Sequence, residues 1–140
     1  MAAAILRDRL ASAVLTDQVR VVSAGVWADS GRAASAHAAN VLKSRGIELR
    51  DHRSQPLTAQ LLKQADIILV MEESHRRSIF YMAPEHLAKV YLLAELAGKH
   101  EDIADPFGGA LADYAETADL LQALIDQGLP NLLRRLQVQP

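Results

Sequence analysis

Short runs of aliphatic and β-branched residues alternate along this chain with longer runs whose apolar positions recur every three or four residues. In residues 2–15, Leu6, Leu10 and Val14 fall one helical turn apart, which predicts a helix. "VRVVSAG", 19–25, is β-branched and closes on a glycine, which predicts a strand. Residues 35–45 predict a second helix with Ala38, Val41 and Leu42 inward, Ser35 as N-cap and Gly46 as its stop. "DHRSQPL", 51–57, reads as irregular, and Thr58 caps a short helix through Gln64. "DIILVM", 66–71, is almost continuously apolar, as a strand covered on both faces must be. A helix over 73–82 is limited by Pro84, and "KVYLLAEL", 89–96, predicts a third strand. A long helix follows over 111–127. Gly128 and Pro130 are expected to break it before a last turn carrying Leu132, Leu133 and Leu136.

Strands that alternate with helices imply an α/β fold, with a parallel sheet between flanking helices in three layers. Ligands in such sheets bind beyond the carboxyl ends of the strands. The loops leaving those ends hold Gly25-Val26-Trp27, Glu72-Glu73-Ser74 and "HEDIADPFGG", 100–109. One feature fits poorly. The chain opens on a helix, and three strands are few for the helices that need a sheet to cover.

Composition narrows the function. The 140 residues suit one domain, 1–140, and half are apolar, so a core of Leu, Ala, Val and Ile compensates for only 4% aromatics. A net charge of −2 carries no nucleic-acid footprint, and pairs such as Arg76-Arg77 and Arg134-Arg135 read as solvated helix faces. No apolar run approaches the roughly 20 residues of a membrane span. Arg7, Asp8 and Arg9 interrupt the opening apolar run, so no signal peptide is read and a cytoplasmic location is expected. Cysteine is absent, which excludes disulfides, thiolate metal ligands and a thiol nucleophile within these residues. His37, His75, His86 and His100 lack metal-ligand spacing, and no glycine-rich nucleotide loop occurs. Neither a metal nor a cofactor is expected.

Residue by residue, the candidate chemistry is bland. Asp105 in "DPFGG" is ordinary turn chemistry. Trp27 alone reads as packing, and His52, between Asp51 and Arg53, as a hydrogen-bonded structural histidine. Their order changes the picture. "SAG" followed by Trp27, "ASAHAANVLKSRGIELRDHRSQPLT", "ADIILVMEESHRRSI", "KVYLLAEL" and "DIADPFGG" succeed one another with natural spacing from Met1 to about Leu136. This succession resembles the low-molecular-weight protein tyrosine phosphatase family, whose fold is a four-stranded parallel sheet flanked by helices. Members begin with a strand, then a Cys-x5-Arg-Ser-Pro loop, then a helix that often starts "MAEALLR". Here "MAAAILRDRL" aligns with that helix, so the first strand, the cysteine and the phosphate loop have no counterpart in the 140 residues.

The resemblance implies a mechanism. A cysteine thiolate attacks phosphorus, an arginine fork grips the phosphate, and an aspartate protonates the departing phenolate. It assigns Asp105 as that general acid and Trp27 and Phe107 as walls of the phosphotyrosine slot. Phe107 stands where tyrosine is common and keeps the flat wall without the hydroxyl. Ser23 and His52 match residues that brace the phosphate loop. The implied substrate is a phosphotyrosine protein or a small aryl phosphate, provided the missing segment is restored.

Four readings stay open: a truncated phosphatase, inactive as it stands; a non-catalytic binding or assembly module on the same fold; an arsenate-reductase-like relative; and an unrelated small α/β domain. The resemblance also places the missing strand inside the sheet, between 19–25 and 66–71. The chain is then expected to pair those two segments directly, to borrow a strand, or to expose sticky edges that drive self-association.

Overall fold

The computed structural model describes residues 1–25, 35–49 and 55–139. Among the described residues six α-helices, a 3₁₀ turn and two strands follow in the order α1 (Ala2–Ser12), α2 (Ala36–Lys43), α3 (Ala59–Gln64), β1 (Ile68–Val70), α4 (Glu73–Met82), the turn Pro84–Lys89, β2 (Val90–Leu92), α5 (Leu93–Leu96) and α6 (Leu111–Arg135). The strands are parallel, with Ile68 opposite Val90 and Val70 opposite Leu92. Side chains alternate across a strand, and here the alternation builds two cores. Ile67, Leu69 and Met71 pack towards α1, α2, α5 and α6, while Ile68 and Val70 pack with Leu62, Ile79, Ala83, Val90 and Leu92. The result is the expected three layers. Ile5, Leu42 and Leu92 are fully buried, each worth about 1.5–3 kcal/mol of apolar burial.

Caps follow the sequence closely. Ser35 accepts from the Ala38 N–H at 3.2 Å and Thr58 from the Leu61 N–H at 3.2 Å. The Lys89 ammonium closes the other end of α3 by donating to the Leu62 and Ala65 carbonyls at 2.8 and 2.9 Å, where a cation is favoured. Four helices then end by one device, an N–H bonded back to the carbonyl five residues earlier around a residue in the left-handed region. At α2 and α5 that residue is Gly46 or Gly98, both at φ +79°. At α1 and α6 it is Val14 or Gln137, both at φ +59°. The first helix therefore stops at Ser12, short of residue 15. Val14 is 85% exposed and has no packing to lose there.

Two other expectations need correction. Residues 93–96 are helical, because the Glu95 carboxylate accepts from the Leu92 N–H at 2.6 Å and starts α5 directly after β2. Gly128 and Pro130 do not break the last helix, which runs unbroken to Arg135. Gly128 is buried where any Cβ would come within 2.7 Å of the Leu96 Cβ, so the glycine allows α6 to lie against α5. Pro130 is exposed. It offers no N–H to the Asp126 carbonyl one turn back, and Asp126 is itself exposed.

The predicted strand 19–25 is also corrected. Among the described residues it forms no strand and lies outside the sheet, and only Gly25 forms a bridge, in the parallel sense, with Pro56. Side chains serve its carbonyls instead. Arg7 of α1 donates to Val21 O from Nη2 at 2.8 Å, and Gln55 Nε2 donates to Ser23 O at 2.8 Å. No direct pairing of 19–25 with β1 is formed among the described residues.

Candidate active site

The carboxyl ends of β1 and β2 open onto one edge of the sheet, and the loop from Ala97 to Ala110 crosses it. Ile103 is buried, and its N–H donates to Met71 O, just past β1, at 2.8 Å. The preceding residue, Asp102, uses its carboxylate to accept from the Glu73 N–H at the start of α4, at 3.0 Å. At the far end of the loop, the Asp113 carboxylate accepts from the Ala110 N–H at 2.8 Å and opens α6. The loop is thus tied to the N-termini of two helices, with Asp105 between the ties.

Asp105 itself is exposed, and its Oδ1 accepts from the Phe107 N–H at 3.0 Å. This is an Asx-type turn, so the plain reading of "DPFGG" as a turn is right locally. Each glycine has its own reason. Gly108 sits at φ +82°. A Cβ on Gly109 would meet Asp113 Oδ2 at 2.7 Å and Pro106 O at 2.9 Å. Phe107 is left 78% exposed, a flat apolar face beside the carboxylate.

Asp105 also acts electrostatically on the start of α1. The Met1 amine is held below its usual range, first by burial and further by the nearby Arg7 guanidinium. The Asp105 carboxylate opposes both, which places it within electrostatic reach of that helix N-terminus. An α-helix N-terminus presents unpaired N–H groups and a positive dipole end.

Behind the loop, a charged cluster joins α4 to α5. Arg76 binds the Glu95 carboxylate and lies 3.6 Å from Glu73, and His100 lies 3.5 Å from Glu73 and 3.8 Å from Glu95. Burial resists ionisation of Glu95, but the Leu92 N–H, Arg76 and His100 outweigh it and hold its pKa below the usual carboxylate range. A carboxyl with a depressed folded pKa stabilises the fold above its unfolded pKa, about 4.3 for Glu, and loses that contribution as pH falls through the lower folded value. Glu95→Gln should therefore lower the melting temperature at pH 7, with the deficit shrinking below pH ~4. A deficit that stays constant from pH 7 to pH 3 would remove Glu95 as its source.

Of the expected site residues, the structure brings Asp105 and Phe107 together on this loop. Ser23 lies in the segment tied by Arg7 and Gln55. Trp27 and His52 lie outside the described residues. Sequence reasoning missed Asp102, Asp113, Arg7 and Gln55. Only Asp113 left a signal, as an acidic residue at the third position of a helix. Among the described residues there is no cluster of three metal-ligating side chains and no helix long and apolar enough to cross a membrane.

Comparison with known proteins fits this architecture. The sequence profile described as "Low molecular weight phosphotyrosine protein phosphatase" matches residues 1–139. A probable low molecular weight protein-tyrosine-phosphatase, EpsP of Ralstonia nicotianae, is 35% identical over 132 residues, covering 94% of this chain and 86% of the relative. The solved structure of the YwlE arginine phosphatase of Geobacillus stearothermophilus superposes with a TM-score of 0.86 at 36% identity, covering 99% of this chain and 88% of that one. A YwlE Cys-to-Ser mutant with a phosphorylated active-site serine superposes with a TM-score of 0.88 at 36% identity, over 96% of this chain and 89% of the other. The sheet, its helices and these similarities agree: the chain belongs to the low molecular weight phosphotyrosine protein phosphatase family.

Proposed function

We propose that these 140 residues form one domain and supply the leaving-group side of a phosphatase site, with Asp105 as the proton donor. The observation that carries the reading is the placement of the Asp105 carboxylate, on a loop tied at both ends and within electrostatic reach of the α1 N-terminus. The chemistry needs a thiolate to form a bond to phosphorus as the phosphorus–oxygen bond to the leaving group breaks. The electron pair departs on the phenolate oxygen, and Asp105 delivers a proton there. Asp105, now a carboxylate, takes a proton from the water that then frees phosphate from sulfur. Phe107, and Trp27 by resemblance, flank the aryl ring, and Ser23 and His52 brace the phosphate loop.

The 140 residues hold no cysteine, so the chain by itself supplies no thiol for this reaction. Our reading is that purified 1–140 is inactive and tends to self-associate through the segment 19–25. In a chimera that joins the segment around the YwlE active-site cysteine ahead of Met1, we expect release of phosphate from phosphotyrosine peptides. A second substrate class, phosphoarginine, is favoured by the name of the solved relative, an arginine phosphatase. Assay of the chimera on matched phosphotyrosine and phosphoarginine peptides separates the two. Turnover of either by 1–140 without an added thiol would sink the assignment, because it would require another nucleophile.

A further inference from the structure

We propose that Asp102 is the positioning residue for Asp105: its carboxylate holds the stem of the loop against the N-terminus of α4 and so fixes where the proton donor stands. The inference rests on the reading of Asp105 as the donor.

The argument starts from an orphan. The first N–H groups of a helix have no partner within it, and a short polar side chain at the N-cap position usually takes one of them. The residue at that position of α4, Glu72, makes no such bond. Its carboxylate is 3.5 Å from His75 Nε2 instead. The Glu73 N–H is taken by Asp102, a residue of the loop and not of the helix, at 3.0 Å. The helix dipole adds to that attraction.

The next residue is held as well. The Ile103 N–H donates to Met71 O at 2.8 Å, and its side chain is 3% exposed. Consecutive loop residues therefore grip positions 71 and 73 across the junction of β1 and α4. Asp105 follows two residues later, and two residues span at most about 7 Å. Its own turn, Oδ1 to the Phe107 N–H, sets the direction of the carboxylate. Without the Asp102 bond the stem keeps the Ile103 tie and the exposed contact of His100 with Glu73 at 3.5 Å, and is freer to swing about them. The loss should then reach the Asp105 turn, although the bond Asp102 makes is to Glu73 and not to Asp105 or Phe107.

Water-exchange NMR on the 140-residue chain tests this. In Asp102→Ala, amide exchange should rise at Glu73, the bonded partner, and also at Phe107, by roughly three- to thirty-fold, the range expected for a lost helix cap. Asp102→Asn keeps the acceptor oxygen and should restore both to within about threefold of the parent, by the same capping preference. Amides of α6 should be unchanged in both, which shows that the fold is intact. Faster exchange at Glu73 with Phe107 unchanged would reduce Asp102 to a cap for α4 and overturn the proposal. Failure of Asn to restore Phe107 would overturn it too. Neither readout depends on turnover. An error in the role of Asp105 would appear only in the activity of the chimera, so the two failures are distinguishable.

Discussion

In the chimera bearing a cysteine segment, Asp105→Ala lowers kcat on phenyl phosphate by about 10²–10⁴, the usual contribution of general acid catalysis, and moves KM far less. A proton donor contributes only as charge develops on the leaving oxygen, so its removal costs transition-state stabilisation rather than ground-state binding. The deficit should depend on the leaving group. An unactivated phenolate, with a conjugate-acid pKa of about 10, needs the proton most, whereas a nitro-substituted phenolate leaves almost unaided. The loss in kcat/KM, which reports the reaction only as far as departure of the leaving group, should therefore shrink sharply on p-nitrophenyl phosphate. Asp105→Asn should behave like the alanine variant. It keeps a side-chain oxygen for the Phe107 N–H and hence the turn, but it cannot donate and regain a proton at neutral pH. That pair of variants separates the turn that the side chain shapes from the proton transfer proposed for it. Equal losses of kcat/KM on both substrates, or full activity in Asn, would show that Asp105 does not protonate the leaving group.

How far the sequence reveals this site depends on the range of the interactions involved. The helix starts were legible because Ser35 and Thr58 act on N–H groups three residues away. The end of α1 was not, since a glycine usually marks the left-handed position and here Val14 fills it. Gly128 and Pro130 misled because the cost of each depends on its surroundings. One allows contact with Leu96 and the other faces solvent. The apolar run 89–96 looked like one strand because its burial is continuous, and only the reach of Glu95 back to Leu92 divides it into β2 and α5. At the site, composition and spacing led no further than a turn at Asp105. The succession of motifs along the whole chain supplied the chemical role proposed for it. The bond from Asp102 to a residue 29 positions earlier left no trace in local sequence.

Purified 1–140 should unfold in urea with a stability below about 5 kcal/mol, the lower end of the range for natural domains, and should scatter light increasingly with concentration. The reason lies in residues 19–25. Gly25 is the only position there bridged to another segment among the described residues. The carbonyls of Val21 and Ser23 rely on single side-chain donors, Arg7 and Gln55, and no backbone acceptor takes the N–H groups of Arg20 to Ala24 among the described residues. Where water reaches these groups the cost is small. Where it does not, each unpaired group costs on the order of 1–3 kcal/mol. Val21 and Ser23 are half-buried, while Val22 is 47% exposed. Among the described residues the segment thus presents both hydrogen-bonding groups without backbone partners and apolar surface, the combination that recruits a strand from another molecule. A thin margin also makes the core unforgiving. Leu92→Ala, at a fully buried position of β2, should cost about 2–5 kcal/mol and leave the chain largely unfolded at 25 °C. Arg7→Ala frees the Val21 carbonyl and should increase scattering without touching either core. A monomeric chain with a cooperative melt worth more than about 5 kcal/mol, or an Arg7→Ala variant no more associated than its parent, would mean that this segment does not drive association.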